Sequence, residues 1–271
     1  MPAVSYELEN EKKVILKDIQ SQHDGRNLDI DKVGIKDIQY PIVLSDKEKG
    51  RQHTVARINM YVKLPHNFKG THMSRFVEIL SNHSSNIDLY KVNDILEEMK
   101  EKLDSEESFI ELSFQYFLNR KAPVSGQSAM MDYHCRYVGS AGAKGRDQVL
   151  TIRVPVMTLC PCSKEISSYG AHNQRSYINI SVRMKKMVWI EELIELAESC
   201  GSSPIYPLLK REDEKYVTEQ SYNNPAFVED VVRNVAEKLM KEDRVTWFEV
   251  SSENIESIHN HSAYAVITRS K

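Results

Sequence analysis

The chain has 271 residues, of which 41% are hydrophobic and 28% charged, a composition typical of a folded globular protein. Its 36 basic and 39 acidic residues give a net charge of -3, so no overall positive field attracts nucleic acid or an anionic membrane. No apolar stretch approaches the roughly 20 residues that a membrane-spanning helix needs, and the first residues lack the apolar core of a signal peptide. We therefore expect a soluble, cytoplasmic protein whose four cysteines serve in packing, catalysis or metal binding rather than in disulfides.

The first half of the chain predicts the order β-β-α-α-β-β. Residues 1–32 are polar and lack periodicity, which is typical of a loosely held N-terminal arm. Two strand-like segments follow from Val33, and two amphipathic helices come next, with Ser74 and Asp88 as their predicted starts. Alternating segments at residues 108–123 and 128–140 predict two more strands, so that residues 33–142 form a first module.

The second half, residues 143–271, repeats this order. Strands are predicted at residues 146–159 and 175–186, followed by helices at 189–199 and 224–242 and by closing strands at 244–257 and 261–270. Asn223 or Asn224 is the expected cap of the longer helix, with Pro225 at its first helical position. The glycine-rich residues 139–145 mark the boundary between the halves.

This pattern predicts an α+β fold in which helices cover one face of antiparallel sheets. The two modules could form one continuous sheet. Because open sheet edges invite pairing with other subunits, we also expect a closed oligomer.

The densest group of reactive side chains lies in residues 158–175. A single proline separates Cys160 from Cys162, a spacing that strains a disulfide between them, and His172 follows ten residues after Cys162. A thiolate and an imidazole suit zinc, and a carboxylate from elsewhere would complete an open three-ligand site that holds a water. The alternative to a metal site is that both cysteines only pack after a strand and that His172 is an ordinary loop histidine. Spacing alone supports the two interpretations about equally.

Sequence spacing alone gives less support for a functional role at the other candidate residues. His259 and His261 would point to one face of a strand, where they could act as acid and base or as ligands, although a polar pair at a strand end fits better. Glu229 on a helix and Glu214 in a charged run are expected at the surface. Residues 69–75, with Lys69, His72 and Arg75, could bind phosphate at a turn into a helix or simply cap that helix.

Four segments resemble the type IB family of GTP cyclohydrolases: PVMTLCPCSKEISSYGAHNQRSYINISVR, KGTHMSRF, NNPAFVEDVVR and ENIESIHNHSAYA. The resemblance extends from about Val33 to the last residue. It implies a tunnelling fold with two tandem ββααββ modules in each chain and a homotetramer with active sites at subunit interfaces. It also implies hydrolytic opening of the imidazole ring of GTP at C8, release of formate and closure to 7,8-dihydroneopterin triphosphate, the first step of folate-type biosynthesis.

The resemblance also implies residue roles. Cys160, His172 and Glu214 fall where the family binds its divalent metal, Zn²⁺ or Mn²⁺. His259 falls on the acid/base histidine, with Cys162 and His261 close by, and Glu229 falls on the glutamate that anchors guanine. Cationic and polar residues are candidates for binding the triphosphate, namely Lys164, Arg175, His72, Arg75 and Lys69.

Two alternatives stay open at this point. A related enzyme of the same fold, such as a nitrile reductase acting on a 7-deazaguanine, would use a nucleophilic cysteine and NADPH instead of a catalytic metal. A non-catalytic module could instead use zinc only to stabilise its fold.

Overall fold

The computed structural model of the chain describes residues 20, 22–83 and 89–271. Most of the predicted N-terminal arm and the predicted helix start at Asp88 lie outside the described residues. The first strand begins at Ile30, three residues before the predicted Val33.

The first half contains the predicted order of elements. They are β1 (Ile30–Asp46), β2 (Gly50–Leu64), α1 (Met73–Asn82), a short 3₁₀ helix (Leu89–Lys91), α2 (Val92–Lys102), β3 (Ser108–Lys121) and β4 (Ser128–Gly142). The prediction that Ser74 caps α1 was wrong by two residues, because the extended backbone of His72 occupies the N-cap position. The strands were predictable because buried and exposed side chains alternate along them.

The second half contains the predicted strands and helices together with three short or unexpected elements. Its elements are β5 (Gly145–Leu159), α3 (Pro161–Ile166), β6 (Asn173–Met184), α4 (Ile190–Glu198), β7 (Ser203–Pro204), α5 (Arg211–Asn223), α6 (Val228–Lys241), β8 (Val245–Ile255) and β9 (Ser262–Ser270). The sequence pattern did not predict α3, β7 or α5.

The predicted start of the helix over residues 224–242 was wrong. Asn223 is the last residue of α5 and Asn224 is its C-cap, so Pro225 lies in the connection between two helices. The following helix, α6, begins at Val228. Its start is fixed by Asp230, whose carboxylate accepts a hydrogen bond from the Phe227 backbone N–H at 3.1 Å.

The nine strands of the described residues belong to one antiparallel sheet with the order β1-β2-β3-β4-β5-β6-β8-β9, and β7 pairs with β5. The glycine-rich residues 139–145 are the end of β4 and the turn into β5, where Gly142 pairs with Gly145 and the positive φ of Gly145 closes the turn. The sheet therefore continues across this point, and the division into modules at 142/143 stays a prediction.

Helices cover one face of this sheet, as predicted. α2 packs on β3 and β4, α4 on β5 and β6, and α6 on β8 and β9. The apolar core between the sheet and these helices contains buried residues from successive strands, among them Leu112, Ile152, Ile180 and Val250. The opposite face is polar, with Arg136 and Arg153 among its exposed residues.

Candidate functional site

Cys160 and His172 lie side by side at one end of the sheet. Cys160 directly follows β5 and caps the short helix α3, where its Sγ accepts a hydrogen bond from the Ser163 backbone N–H at 3.5 Å. The Cys160 N–H donates to the His172 carbonyl at 3.1 Å, and the His172 N–H donates to Ser163 Oγ at 3.2 Å. The loop that joins α3 to β6 therefore returns to its own beginning, and these contacts bring two predicted metal ligands together.

The loop between β8 and β9 faces the His172 ring. Ser257 Oγ lies 3.4 Å from His172 Nδ1, and Glu256 Oε2 lies 4.0 Å from the same nitrogen. Both the His172 and Glu256 side chains are largely buried, at 16% and 12% exposure. Glu256 is a candidate functional residue that the sequence pattern missed, because the strand predicted over residues 244–257 placed it inside β8.

His259 and His261 lie on this same loop. The interpretation in which they share one face of a strand was wrong, since β8 ends at Ile255 and β9 begins at Ser262, so both histidines lie between the two strands. Their rings nevertheless converge, with centroids 5.1 Å apart and planes 17° from parallel, and both side chains are exposed. The loop thus carries a stacked imidazole pair a few residues from the two side chains that face His172.

A layer of buried polar side chains lies behind His172. Gln174 Oε1 is 3.1 Å from His172 Nδ1, Gln174 Nε2 donates to Thr158 Oγ1 at 3.1 Å, and Thr158 Oγ1 lies 2.7 Å from Ser176 Oγ. Ser252 and Asn254 of β8 extend this layer, and all five residues are at most 7% exposed. Register places Ser176 beside Asn254 and Thr158 beside Gln174, so the layer crosses three adjacent strands.

The two predicted glutamates are both exposed. Glu214 lies in the first turn of α5 and Glu229 in the first turn of α6. Within residues 20, 22–83 and 89–271, no three His, Cys, Asp or Glu side chains converge closely enough to hold a metal ion. Glu214 as a third ligand and Glu229 as a guanine anchor therefore stay predictions. Cys162 is exposed in the first turn of α3, and its catalytic role stays a prediction as well.

The candidates for phosphate binding fall into two groups. Lys164 and Arg175 flank the Cys160–His172 segment, and Lys164 Nζ donates to the Tyr222 carbonyl at 2.6 Å while lying 4.4 Å from the centroid of its ring. His72 and Arg75 lie at α1, where Arg75 Nη1 donates to the carbonyl of Lys102 at the end of α2. Lys69 precedes α1 in the same region. Their roles toward phosphate stay predictions.

Arg175 also borders a polar pocket on the uncovered face of the sheet. The pocket, of about 510 Å³, forms where β4 and β5 separate beyond the His134–Arg153 pair. Arg153 stacks on Tyr177 at 4.0 Å, and burial together with the charges of Arg153 and Arg57 lowers the pKa of His134. The sequence pattern missed this pocket because its residues come from separate strands.

Comparison with known proteins decides the family. Residues 16–265 match the model of the type I GTP cyclohydrolase folE2 family, which is more than half of the chain. This chain belongs to that family. The family resemblance drawn from the sequence is therefore confirmed.

Curated members of the GTP cyclohydrolase folE2 family align along nearly their whole length. GTP cyclohydrolase FolE2 of Geotalea uraniireducens is 57% identical over 256 residues, covering 94% of this chain and 94% of its own. The Geobacter metallireducens protein of the same name is 56% identical over 256 residues, covering 94% of this chain and 98% of its own. That of Citrifermentans bemidjiense is 57% identical over 260 residues, covering 96% and 97%.

Solved structures support the fold of this family member. Urate oxidase of Bacillus subtilis aligns with a TM-score of 0.53 at 10% identity, covering 89% of this chain and 98% of its own. Uricase of Arthrobacter globiformis aligns with a TM-score of 0.51 at 7% identity, covering 89% and 93%. These are tunnelling-fold proteins, so the predicted α+β tunnelling-fold class is confirmed. None of the helices in the described part of the chain has the length and hydrophobicity needed to cross a bilayer.

The donor set of this folE2 family member fits a thiophilic divalent cation in part. Cys160 Sγ and the Nε2 of His172 provide a sulfur and an imidazole nitrogen held on adjacent backbone, and the Nδ1 of His172 is already engaged by Gln174. Glu256 supplies a carboxylate near the same ring. Two candidate ligands are thus neighbours on the backbone and a carboxylate lies near one of them, although within the described residues no three such side chains converge closely enough to hold a metal ion.

Proposed function

We propose that this chain is a GTP cyclohydrolase that opens the imidazole ring of GTP at C8, releases formate and closes the product to 7,8-dihydroneopterin triphosphate. The observation that carries this proposal is the pairing of Cys160 with His172 beside the loop that bears Glu256, His259 and His261. Membership of the type I GTP cyclohydrolase folE2 family over residues 16–265 supports the same reaction.

Cys160 and His172 would bind the catalytic metal, Zn²⁺ or Mn²⁺, with Glu214 as the third ligand. When bound, the cation supplies the Lewis acidity that makes a water nucleophilic near neutral pH. Glu256, 4.0 Å from His172 Nδ1, competes with Glu214 for a role beside the metal. Metal content of Glu214→Gln and Glu256→Gln, measured by mass spectrometry after dialysis, separates the two. Loss of metal in one variant alone identifies the ligand.

The remaining residues would act on the purine and its phosphates. His259, with Cys162 and His261 beside it, would move protons as the five-membered ring opens. Glu229 would accept hydrogen bonds from the N1–H and 2-amino group of guanine. Lys164 and Arg175 flank the Cys160–His172 segment, whereas His72 and Arg75 lie at α1, so the first pair is the better candidate for the triphosphate.

We further propose that the active enzyme is a cytoplasmic homotetramer in which Glu229 acts across a subunit interface. Within the described part of the chain, β1 and β9 are the edge strands of the sheet, and each has one side that favours pairing with another copy. Exposed Ile166 and Tyr169 add an apolar surface beside the site. Co-expression of Glu229→Ala with His259→Ala tests this. Mixed oligomers should recover activity if two subunits complete one site, whereas no recovery indicates that both residues act within one chain.

The central experiment is turnover of GTP by metal-reconstituted protein. The product should give fluorescent neopterin after oxidation and dephosphorylation, and Cys160→Ala should abolish the signal. Folded, metallated protein that never gives this signal would show that the proposed reaction is wrong.

The same preparation distinguishes the alternatives. A nitrile reductase would form a covalent thioimide adduct with a 7-deazaguanine nitrile and oxidise NADPH. A zinc-stabilised module would unfold on chelation, whereas an open catalytic site loses activity and largely keeps its fold. The large apolar core argues for the second outcome, because it spans both halves of the chain through side-chain packing.

A further inference from the structure

Gln174 is a buried amide at a position where the strand pattern calls for an apolar side chain. It lies on the covered face of β6, in the same row as Ile178, Ile180 and Val182, and is 7% exposed. Burying an amide costs free energy unless its groups find partners. Both ends of Gln174 do: one faces His172 and the other faces Thr158.

Three groups surround the Nδ1 of His172, and Gln174 is the nearest. Its Oε1 lies at 3.1 Å, Ser257 Oγ at 3.4 Å and Glu256 Oε2 at 4.0 Å. The last distance is too long for a hydrogen bond, and the Ser257 contact is at the limit. An amide oxygen can only accept, so it requires that Nδ1 carry the proton. The other ring nitrogen, Nε2, then keeps its lone pair.

The residues behind Gln174 fix the position of its amide group. Gln174 Nε2 donates to Thr158 Oγ1, and the Thr158 hydroxyl contacts Ser176 Oγ at 2.7 Å. Each member of this row is buried, so the amide is held by fixed partners rather than by solvent. The row therefore connects the rigid interior of the sheet with the ring of His172.

We infer that Gln174 is a positioning residue that holds His172 in the Nδ1–H tautomer, with Thr158 and Ser176 as its support, so that Nε2 presents its lone pair to the metal. This inference rests on the proposed function only in taking His172 as a ligand. Residues that orient a ligating histidine in this way change metal affinity by roughly 10–100-fold when they are removed.

The first test measures the tautomer without any metal. Long-range ¹H–¹⁵N NMR of metal-free protein labelled at histidine should show His172 with a protonated Nδ1 and an unprotonated Nε2. In Gln174→Leu the ring should shift to a mixture or to the Nε2–H form. An unchanged spectrum in Gln174→Leu overturns the inference, as does an Nε2–H ring in the unaltered protein.

The second test uses Co²⁺ as the probe metal and follows its thiolate charge-transfer absorption. Gln174→Leu should weaken Co²⁺ binding by about 10–100-fold. Gln174→Glu, which keeps an acceptor facing Nδ1, should restore most of the affinity. Thr158→Val keeps Gln174 but removes the hydroxyl that supports its amide. Its Co²⁺ affinity should lie between that of the unaltered protein and that of Gln174→Leu. It also serves as a second variant should Gln174→Leu fail to fold.

Ser257→Ala is the matched control, because it removes the other hydrogen-bonding group near Nδ1. It should leave Co²⁺ affinity unchanged. A loss in Ser257→Ala without a loss in Gln174→Leu overturns the inference. If the unaltered protein binds no Co²⁺ through Cys160 and His172, this inference fails, whereas formation of neopterin from GTP by the same protein would still support the proposed function.

Discussion

Two neighbouring tyrosines donate hydrogen bonds to two glutamates of one helix, and comparing the two bonds predicts how much stability each tyrosine hydroxyl contributes. Tyr116 of β3 and Tyr133 of β4 lie opposite each other in register. Tyr116 donates to Glu191 Oε1 at 2.6 Å and Tyr133 donates to Glu198 Oε1 at 2.7 Å. All four side chains are buried, and the glutamates lie about two turns apart on α4. These contacts fasten α4 to the first half of the sheet.

The two glutamates differ in how their charge is compensated. Glu198 also forms an ion pair with Arg120. Glu191 has only the backbone N–H of Lys47 as a further donor, at 2.8 Å, and its second oxygen has no hydrogen-bond partner within the described residues. Without the Tyr133 hydroxyl, the Glu198 carboxylate is therefore still paired with Arg120. Without the Tyr116 hydroxyl, the Glu191 carboxylate keeps only the backbone N–H of Lys47 among the described residues.

We expect Tyr116→Phe to destabilise the protein more than Tyr133→Phe. A hydrogen bond to a charged group contributes about 1.5–3 kcal/mol, and losing it costs more where the carboxylate keeps fewer other partners. Because the ring is kept, packing is unchanged. At about 2–4 °C for each kcal/mol, Tyr116→Phe should lower Tm by about 3–12 °C.

The assay is calorimetric and urea-induced unfolding of both variants at one protein concentration. A double-mutant cycle adds Glu191→Gln, on which background Tyr116→Phe should cost only about 0.5–1.5 kcal/mol because the acceptor is neutral. An equal or greater loss in Tyr133→Phe would refute the reasoning, since it would show that Arg120 does not decide the cost. Burial raises the pKa of Tyr133 to about 12 and also raises the pKa of Tyr116, so both phenols stay protonated under the assay conditions.

Three further predictions concern the site and acid stability. His259→Asn should lower kcat for GTP by about 10²–10⁴-fold, because His259 is the proposed acid/base, and should leave the circular dichroism spectrum unchanged, because its side chain is exposed. Glu229→Gln should raise KM for GTP more than it lowers kcat, measured by steady-state neopterin formation, with Glu237→Gln on the same helix as control. Burial tends to raise the pKa of Asp213, but hydrogen bonds from Ser125, Lys210 and Val124 hold it well below its usual range. The stability that this carboxylate contributes is thus present above about pH 4 and is lost as the pH falls further. Asp213→Asn should therefore have a lower urea midpoint than the unaltered protein at pH 7. Its midpoint should also change less than that of the unaltered protein as the pH falls.

The strands and the fold class were predictable because each strand alternates between a covered and an uncovered face. Ile152 and Val154, for example, are buried while Arg153 between them is exposed. Helix α5 gave no such signal: its first turns are charged, and Asp213 and Ser221 are its only buried residues. Its position depends instead on Asp213, which bonds the distant turn at Val124 through a contact that no local pattern reveals.

The site was predictable only in part, for a similar reason. The resemblance assigned the metal to Cys160 and His172, and a backbone hydrogen bond makes these two residues neighbours, while their role toward a metal stays a prediction. Glu256 and Gln174 were missed because their significance lies in which residue they face across strands. The stacking of His259 on His261 depends on the loop after β8, whose first two residues the alternating pattern assigned to a strand.

The buried polar layer indicates independently where function lies in this fold. Along the covered face, β5 is apolar through Val156 and then has Thr158, while β8 is apolar through Val250 and then has Ser252. The change from apolar to polar occurs at one end of the sheet, where Gln174 lies beside His172. Apolar side chains at these positions would need no hydrogen-bond partners, whereas buried polar groups need them to offset their desolvation. Proteins depart from such consistent patterning mainly at functional sites, so this end of the sheet is where changes should alter activity more than stability.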